Sequence, residues 1–178
     1  MPRIAGMLSR DPKVKGKTPA ESRAEMVQVV LPNDANQLGN ILGGTVMHLI
    51  DIAGAIAAHR HARSHVVTAS VDSVDFSHPI RVGQVIVLRS QVTRAFRTSM
   101  EVEVKVYLED YLTGERHLTS SAFVTYVAVG EDLLPAPVPP LIARTAEEKR
   151  LYREALGRRR RRLLLAARAR RRALEEQG

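Results

Sequence analysis

The chain has 178 residues, 44% of them apolar and 26% charged, with a formal net charge of +8. It contains no cysteine, which excludes a disulfide framework, a thiolate nucleophile and a cysteine-ligated metal site. The charge is uneven: residues 141–178 hold 13 Lys/Arg against 5 Asp/Glu, so the first 140 residues are balanced and the basicity belongs to the tail.

No apolar run approaches the roughly 20 residues of a membrane span. The basic N-terminal stretch MPRIAGMLSRDPKVKGK has no continuous apolar centre, so no secretory signal is expected. A cytoplasmic location is the expectation.

Taken in order, residues 1–22 carry Pro2, Pro12 and Pro19 and read as an N-terminal extension. A strand is predicted over 25–31, stopped by Pro32. The turn-forming stretch 33–42 delivers the chain to Gly43-Gly44, where a helix begins and runs to about Ala62. Between Gly43 and Ala58 the only formally charged residue is Asp51. Its apolar neighbours cover nearly every side of the 3.6-residue period, so the helix is expected to be buried on most faces. A carboxylate there is costly to desolvate unless something pairs with it. It is either an acid held by a buried partner or a catalytic acid/base lining a cleft. Met47, Gly54 and Ala58 share its stripe. Gly54 and Ala58 are expected to leave room beside it for another backbone or a thin ligand.

The next segments alternate as strands: 66–76, 84–95, 100–108 and 117–129. Met100, Val102, Val104, Val106 and Leu108 face one way; Glu101, Glu103, Lys105 and Tyr107 are expected on a wet face. The order β–α–β–β–β–β predicts an α+β fold, an antiparallel sheet curled around one central helix. That domain spans 23–134. The segment 135–144, containing PAPVPP, reads as a stiff linker. Residues 145–178 read as a basic helix, capped by Thr145 with Glu148 and laid on the body through Leu151, Leu156 and Leu163. Its arginine blocks suit a solvated face, a phosphate-bearing substrate, nucleic acid or an anionic surface.

The string LPNDANQLGNILGGTVMHLID resembles the helix start of hotdog-fold acyl-CoA thioesterases. VVTASVDSVDFSHPIRVGQVI, RTSMEVEV and SAFVTYVAV are similar to three further blocks of that family, in the same order. The resemblance runs from about Met26 to about Arg158 and is nearest the brain-type cytosolic acyl-CoA hydrolases. It implies a hotdog fold, with a C-terminal helix added, and hydrolysis of acyl-CoA to fatty acid and CoA without metal or organic cofactor. The family's catalytic positions fall on Asn36 and Asp51. A homodimer assembling into a trimer of dimers is likewise implied by the resemblance.

Thioester hydrolysis needs an activated water and a polarised carbonyl. Asp51 is the candidate base, with Asn36 orienting water or thioester. The helix start at Gly43-Gly44 offers unpaired amides, so Gly44 and Thr45 are the candidate oxyanion donors. Asp51 lies seven residues beyond Gly44, roughly 10 Å along the axis. One carbonyl does not meet both in one chain, so a site shared between subunits is expected. His48 is the alternative base. Arg97, Thr98 and Ser99, with Arg60 as a weaker candidate, are expected to meet the CoA phosphates. His59 and His61 fall on different helix faces, which argues against a metal site. Two other readings stay open: a hydratase of the same fold, and a non-catalytic acyl-CoA sensor whose basic tail binds nucleic acid.

Overall fold

The computed structural model describes residues 15–72 and 74–175. Residues 1–14 of the expected N-terminal extension, and 176–178 of the expected basic helix, lie outside the described residues.

The elements are β1 (Ala24–Val29), α1 (Gly43–Ala62), β2 (His65–Val71), β3 (Asp75–Phe76), β4 (Val85–Ala95), β5 (Ser99–Glu109), β6 (Arg116–Val129) and α2 (Ala146–Glu175). The strands form one antiparallel sheet in the order β1-β4-β5-β6-β2, with β3 also paired to β6. The expected strand over 66–76 is thus two strands, each held on β6. The pairing register of β2 shifts between Thr68 and Ser70, a bulge that re-aims the side chains around it.

The sheet curls around α1. Met100, Val102, Val104 and Val106 of β5 are fully buried and meet Ile50, Ala53 and Ala57 of the helix. Ser90 of β4 donates its hydroxyl to the Ala53 carbonyl at 2.6 Å, fixing the helix axis on the sheet. The helix stops where Arg63 turns left-handed (φ 56°) and its N–H returns to the His59 carbonyl. Lys17 places its ammonium on the carbonyls of Arg60 and His61 at 2.9 and 2.7 Å, complementing the negative end of the dipole.

Three expectations need correction, on α1, on the outer face of β5 and on the seat of α2. First, α1 is not buried on most faces within one chain: Met47, His48 and Ile52 are exposed, and Asp51 and Ala55 are half-buried. Beside this open face runs β2, an edge strand with Val67 and Val71 about half exposed. Second, the outer face of β5 is not wet at Glu101, which is fully buried, or at Glu103, which is nearly so. Arg158 of α2 clamps the Glu101 carboxylate through Nε and Nη2 at 3.1 and 2.8 Å while stacking on Phe123 at 3.6 Å. Arg162 bridges Asp72 at 2.8 Å and Glu101 at 3.3 Å. The helix therefore docks through Leu151, Ala155 and two arginines. Third, Leu156 and Leu163, expected in that contact, are exposed.

The proline-rich stretch is an extended strap on the body. Ala136 N–H donates to the Ala128 carbonyl, Val138 N–H to the Arg97 carbonyl, and Val138 and Leu141 are buried. Thr145 and Glu148 form the expected reciprocal cap: each accepts the other's backbone N–H, at 3.1 and 3.0 Å.

Candidate active site

Asp51 sits in the middle of α1 on its open face. The sheet supplies two hydroxyls to it. Thr68 of β2 donates to Asp51 Oδ1 at 2.6 Å. Tyr126 of β6 donates to the Asp51 main-chain carbonyl at 2.8 Å and lies 3.3 Å from Oδ1. The Tyr126 side chain is fully buried. That burial, and then the neighbouring Asp51 charge, pushes its hydroxyl well above the ordinary phenol range, so it stays a proton donor. The carboxylate is thus oriented on one side and open on the other.

Gly54 lies beneath this pair for a steric reason. A Cβ there would collide with the Tyr126 hydroxyl and approach its ring at 3.1 Å. The space expected beside Gly54 is filled by Tyr126, and Ala58 is buried in the chain's own core. Neither leaves room for a ligand. Met47 and Ala55 remain on the accessible side.

At the helix start, Leu42 supplies no side-chain cap. The amides of Gly43, Gly44 and Thr45 have no acceptor among the described residues, as expected for a first turn. Space beside Gly44 is open, whereas a Cβ at Gly43 would meet the Phe76 ring at 3.6 Å. The preceding loop is pinned by the Leu42 N–H to the Asp34 carbonyl and by short pairings of Ala35 with Ile41 and Asn40 with Arg81. Asn36 uses Oδ1 to accept the N–H groups of Leu38 and Asn40 at 2.9 and 3.2 Å. Its side chain is exposed, and its amide N–H₂ makes no hydrogen bond among the described residues.

The structure brings Asp51, Thr68 and Tyr126 together. It does not join them to Gly44 or Thr45 of the same chain, which lie about two helical turns away along α1, and Asn36 bonds instead within its own loop. His48 is exposed and makes no hydrogen bond to Asp51 among the described residues. Arg97, Thr98, Ser99 and Arg60 stand at the opposite end of α1, where the Thr98 carbonyl holds the Ala128 N–H. Arg60 donates to the Arg23 carbonyl; Arg97 is exposed. His59 donates Nδ1–H to the Ser64 carbonyl, and His61 points inward to the Pro139 carbonyl. A cleft of about 600 Å³ lined by Arg23, Glu25, Arg89, Glu103, Lys105 and Tyr107 lies on the outer sheet face, away from Asp51.

Sequence reasoning missed Thr68 and Tyr126. The available signal was the run of small polar residues on alternate positions of β2, which reads as strand pattern until the fold turns one of them toward the acid.

A curled antiparallel sheet around one helix is the hotdog fold, and the comparisons with known proteins place it among the thioesterases. The Thioesterase superfamily profile matches residues 38–114. The Bacillus subtilis uncharacterized acyl-CoA thioester hydrolase YkhA is 42% identical over 138 residues, covering 78% of this chain and 80% of its own. A solved apo-hexameric acyl-CoA thioesterase superposes with a TM-score of 0.82 at 47% identity, covering 86% of this chain and 99% of its own. The Staphylococcus aureus acyl-CoA hydrolase, solved with butyryl coenzyme A, coenzyme A and coenzyme A disulfide, gives 0.85 at 33% identity over 91% of this chain and 99% of its own. The chain belongs to the acyl-CoA thioester hydrolase family. It spans only 38% of the length of the rat cytosolic acyl coenzyme A thioester hydrolase.

Single-alanine forms of the S. aureus enzyme have also been solved, at an Asn, at an Asp 15 residues later and at a Thr 17 residues beyond that. Asn36, Asp51 and Thr68 follow one another at the same two spacings.

No helix among the described residues is long and apolar enough to cross a membrane.

Proposed function

We propose that the protein hydrolyses fatty acyl-CoA to free fatty acid and CoA, with Asp51 as general base. The observation that carries this is the Asp51 carboxylate, braced by Thr68 and Tyr126 and open on its other side. In this reading Asp51 takes a proton from water as the water oxygen attacks the thioester carbonyl carbon. The developing oxyanion is held by the Gly44 and Thr45 amides at the helix start. Collapse breaks the C–S bond, and the CoA thiolate recovers a proton from Asp51 or solvent. Asn36 offers its amide N–H₂ to the carbonyl or the water. The chemistry needs no cofactor.

The distance along α1 makes this a site of two chains. Asp51 of one subunit would face Gly44, Thr45 and Asn36 of another. The open helix face, with Met47 and Ile52, and the neighbouring edge of β2, with Val67 and Val71, are the apolar surface a second copy would cover. A homodimer assembled further into a hexamer is supported by the hexameric state of one solved relative. Arg97, Thr98, Ser99 and Arg60 would receive the CoA phosphates near the far end of α1. The cytosolic placement of longer relatives supports a cytoplasmic location.

The test is thiol release from a panel of acyl-CoAs. Rapid release by the wild type is expected, and binding without release would refute the enzyme reading in favour of a sensor.

A further inference from the structure

The second half of α2 takes no part in the reading above. Among the described residues Arg162 makes the last ion pair between this helix and the body, and residues 163–175 are exposed throughout. At about 1.5 Å per residue they project by roughly 20 Å. From Ala155 to Leu174 there is no acidic residue, while nine arginines occur. Seven of them, Arg159–Arg161, Arg168 and Arg170–Arg172, are exposed.

Four of the segment's apolar residues are ordered, while the exposed Leu164 sits beside their row and the exposed Leu165 on another face. Leu156, Leu163, Ala167 and Leu174 follow at helical spacing and form one stripe. Leu156, Leu163 and Leu174 are each at least half exposed or close to it. The stripe points away from the docked side that carries Leu151, Ala155, Arg158 and Arg162. Arg159 and Arg170 flank it on one side, and Arg160 and Arg171 on the other.

We infer that α2 beyond Arg158 is an interfacial helix that lays this enzyme on an anionic lipid surface. A central leucine row with arginines on both shoulders lets the apolar row enter the acyl boundary while the guanidinium groups meet headgroup phosphates. The two alternatives fit less well. Duplex nucleic acid would satisfy the arginines and leave the leucines in water. A second copy would bury the leucines and press the two arginine rows against each other. The inference does not depend on the catalytic reading.

The test is co-sedimentation of the full chain with phosphatidylcholine vesicles, alone and with about a third phosphatidylglycerol. The wild type is expected to bind the anionic vesicles, not the neutral ones, and to be released by high salt. Leu163→Gln with Leu174→Gln, both exposed and outside the site, should weaken binding about tenfold or more. Arg160→Gln with Arg170→Gln should weaken it and flatten the salt dependence. Circular dichroism and unchanged thiol release would show the variants folded. The idea is overturned if the wild type ignores anionic vesicles. It is equally overturned if the leucine variant binds them as well as wild type, or if a DNA duplex displaces them.

Discussion

Thr68 of β2 donates its hydroxyl to Asp51 of α1 at 2.6 Å, so the bulged edge strand fixes the rotamer of the acid on the helix's open face. On the proposed mechanism this bond aims the carboxylate at the water. Thr68→Ala should lower kcat about tenfold, the weight of one oriented hydrogen bond to a charged group. Thr68→Ser should restore most of it. KM should move little, and thermal stability should change by less than about 1 kcal/mol. Steady-state kinetics on all three proteins makes the check.

Gly54 is set by Tyr126. Gly54→Ala gains helix propensity of about 1 kcal/mol but drives a methyl group into a buried ring, a cost of about 1–3 kcal/mol. The net expectation is a lower melting temperature and lower activity, because the displaced hydroxyl is the one that bonds Asp51. Tyr126→Phe in the same chain should recover part of the stability, since it removes the worst overlap. It should not recover the activity.

The clamp between Arg158 and Glu101 joins α2 to the outer sheet face with the carboxylate fully buried. Removing one partner of such a pair leaves an uncompensated charge and costs about 3–5 kcal/mol. Arg162 still reaches Glu101 at 3.3 Å, so Arg158→Leu should lie at the lower end. Arg158→Leu with Glu101→Leu should be markedly more stable than Arg158→Leu alone. Denaturant unfolding of the two variants decides it.

His61 is buried at the end of α1 with Nε2–H on the Pro139 carbonyl. Burial, first of its causes, holds its imidazole below the usual histidine value. The unfolded chain therefore binds the proton at a higher pH than the folded one. Its contribution to stability is complete above about pH 6.5 and is lost as pH falls from there toward the folded value. His61→Gln keeps a donor for Pro139 but does not titrate. Its melting temperature should fall less between pH 7 and pH 5 than that of the wild type.

Much of this was legible in the sequence because it is local. Period-two runs marked the long strands β4, β5 and β6, and a lone acid in an apolar helix marked Asp51. Turn formers ahead of Gly43 marked the loop that holds Asn36. What was not legible depends on contacts distant in sequence. Tyr126 lies 75 residues from the acid it braces, and its alternation reads equally well as core packing. Glu101 alternates like a solvent-facing residue, and only a helix arriving from 57 residues away makes it a buried ion. The break between β2 and β3 leaves no proline or glycine to announce it. The open face of α1 was misjudged because composition alone does not say whether an apolar helix surface is buried within its own chain.

Subunit complementation tests most directly the proposal that the site is shared between two subunits. Asp51→Ala and Asn36→Ala chains, each expected to be nearly inactive, are co-expressed or refolded together and the mixed dimers verified by tagged purification. Each mixed dimer then carries one site with both residues intact, so a random equal mixture should recover about a quarter of wild-type turnover. Verified mixed dimers that recover nothing would contradict a site built from two chains.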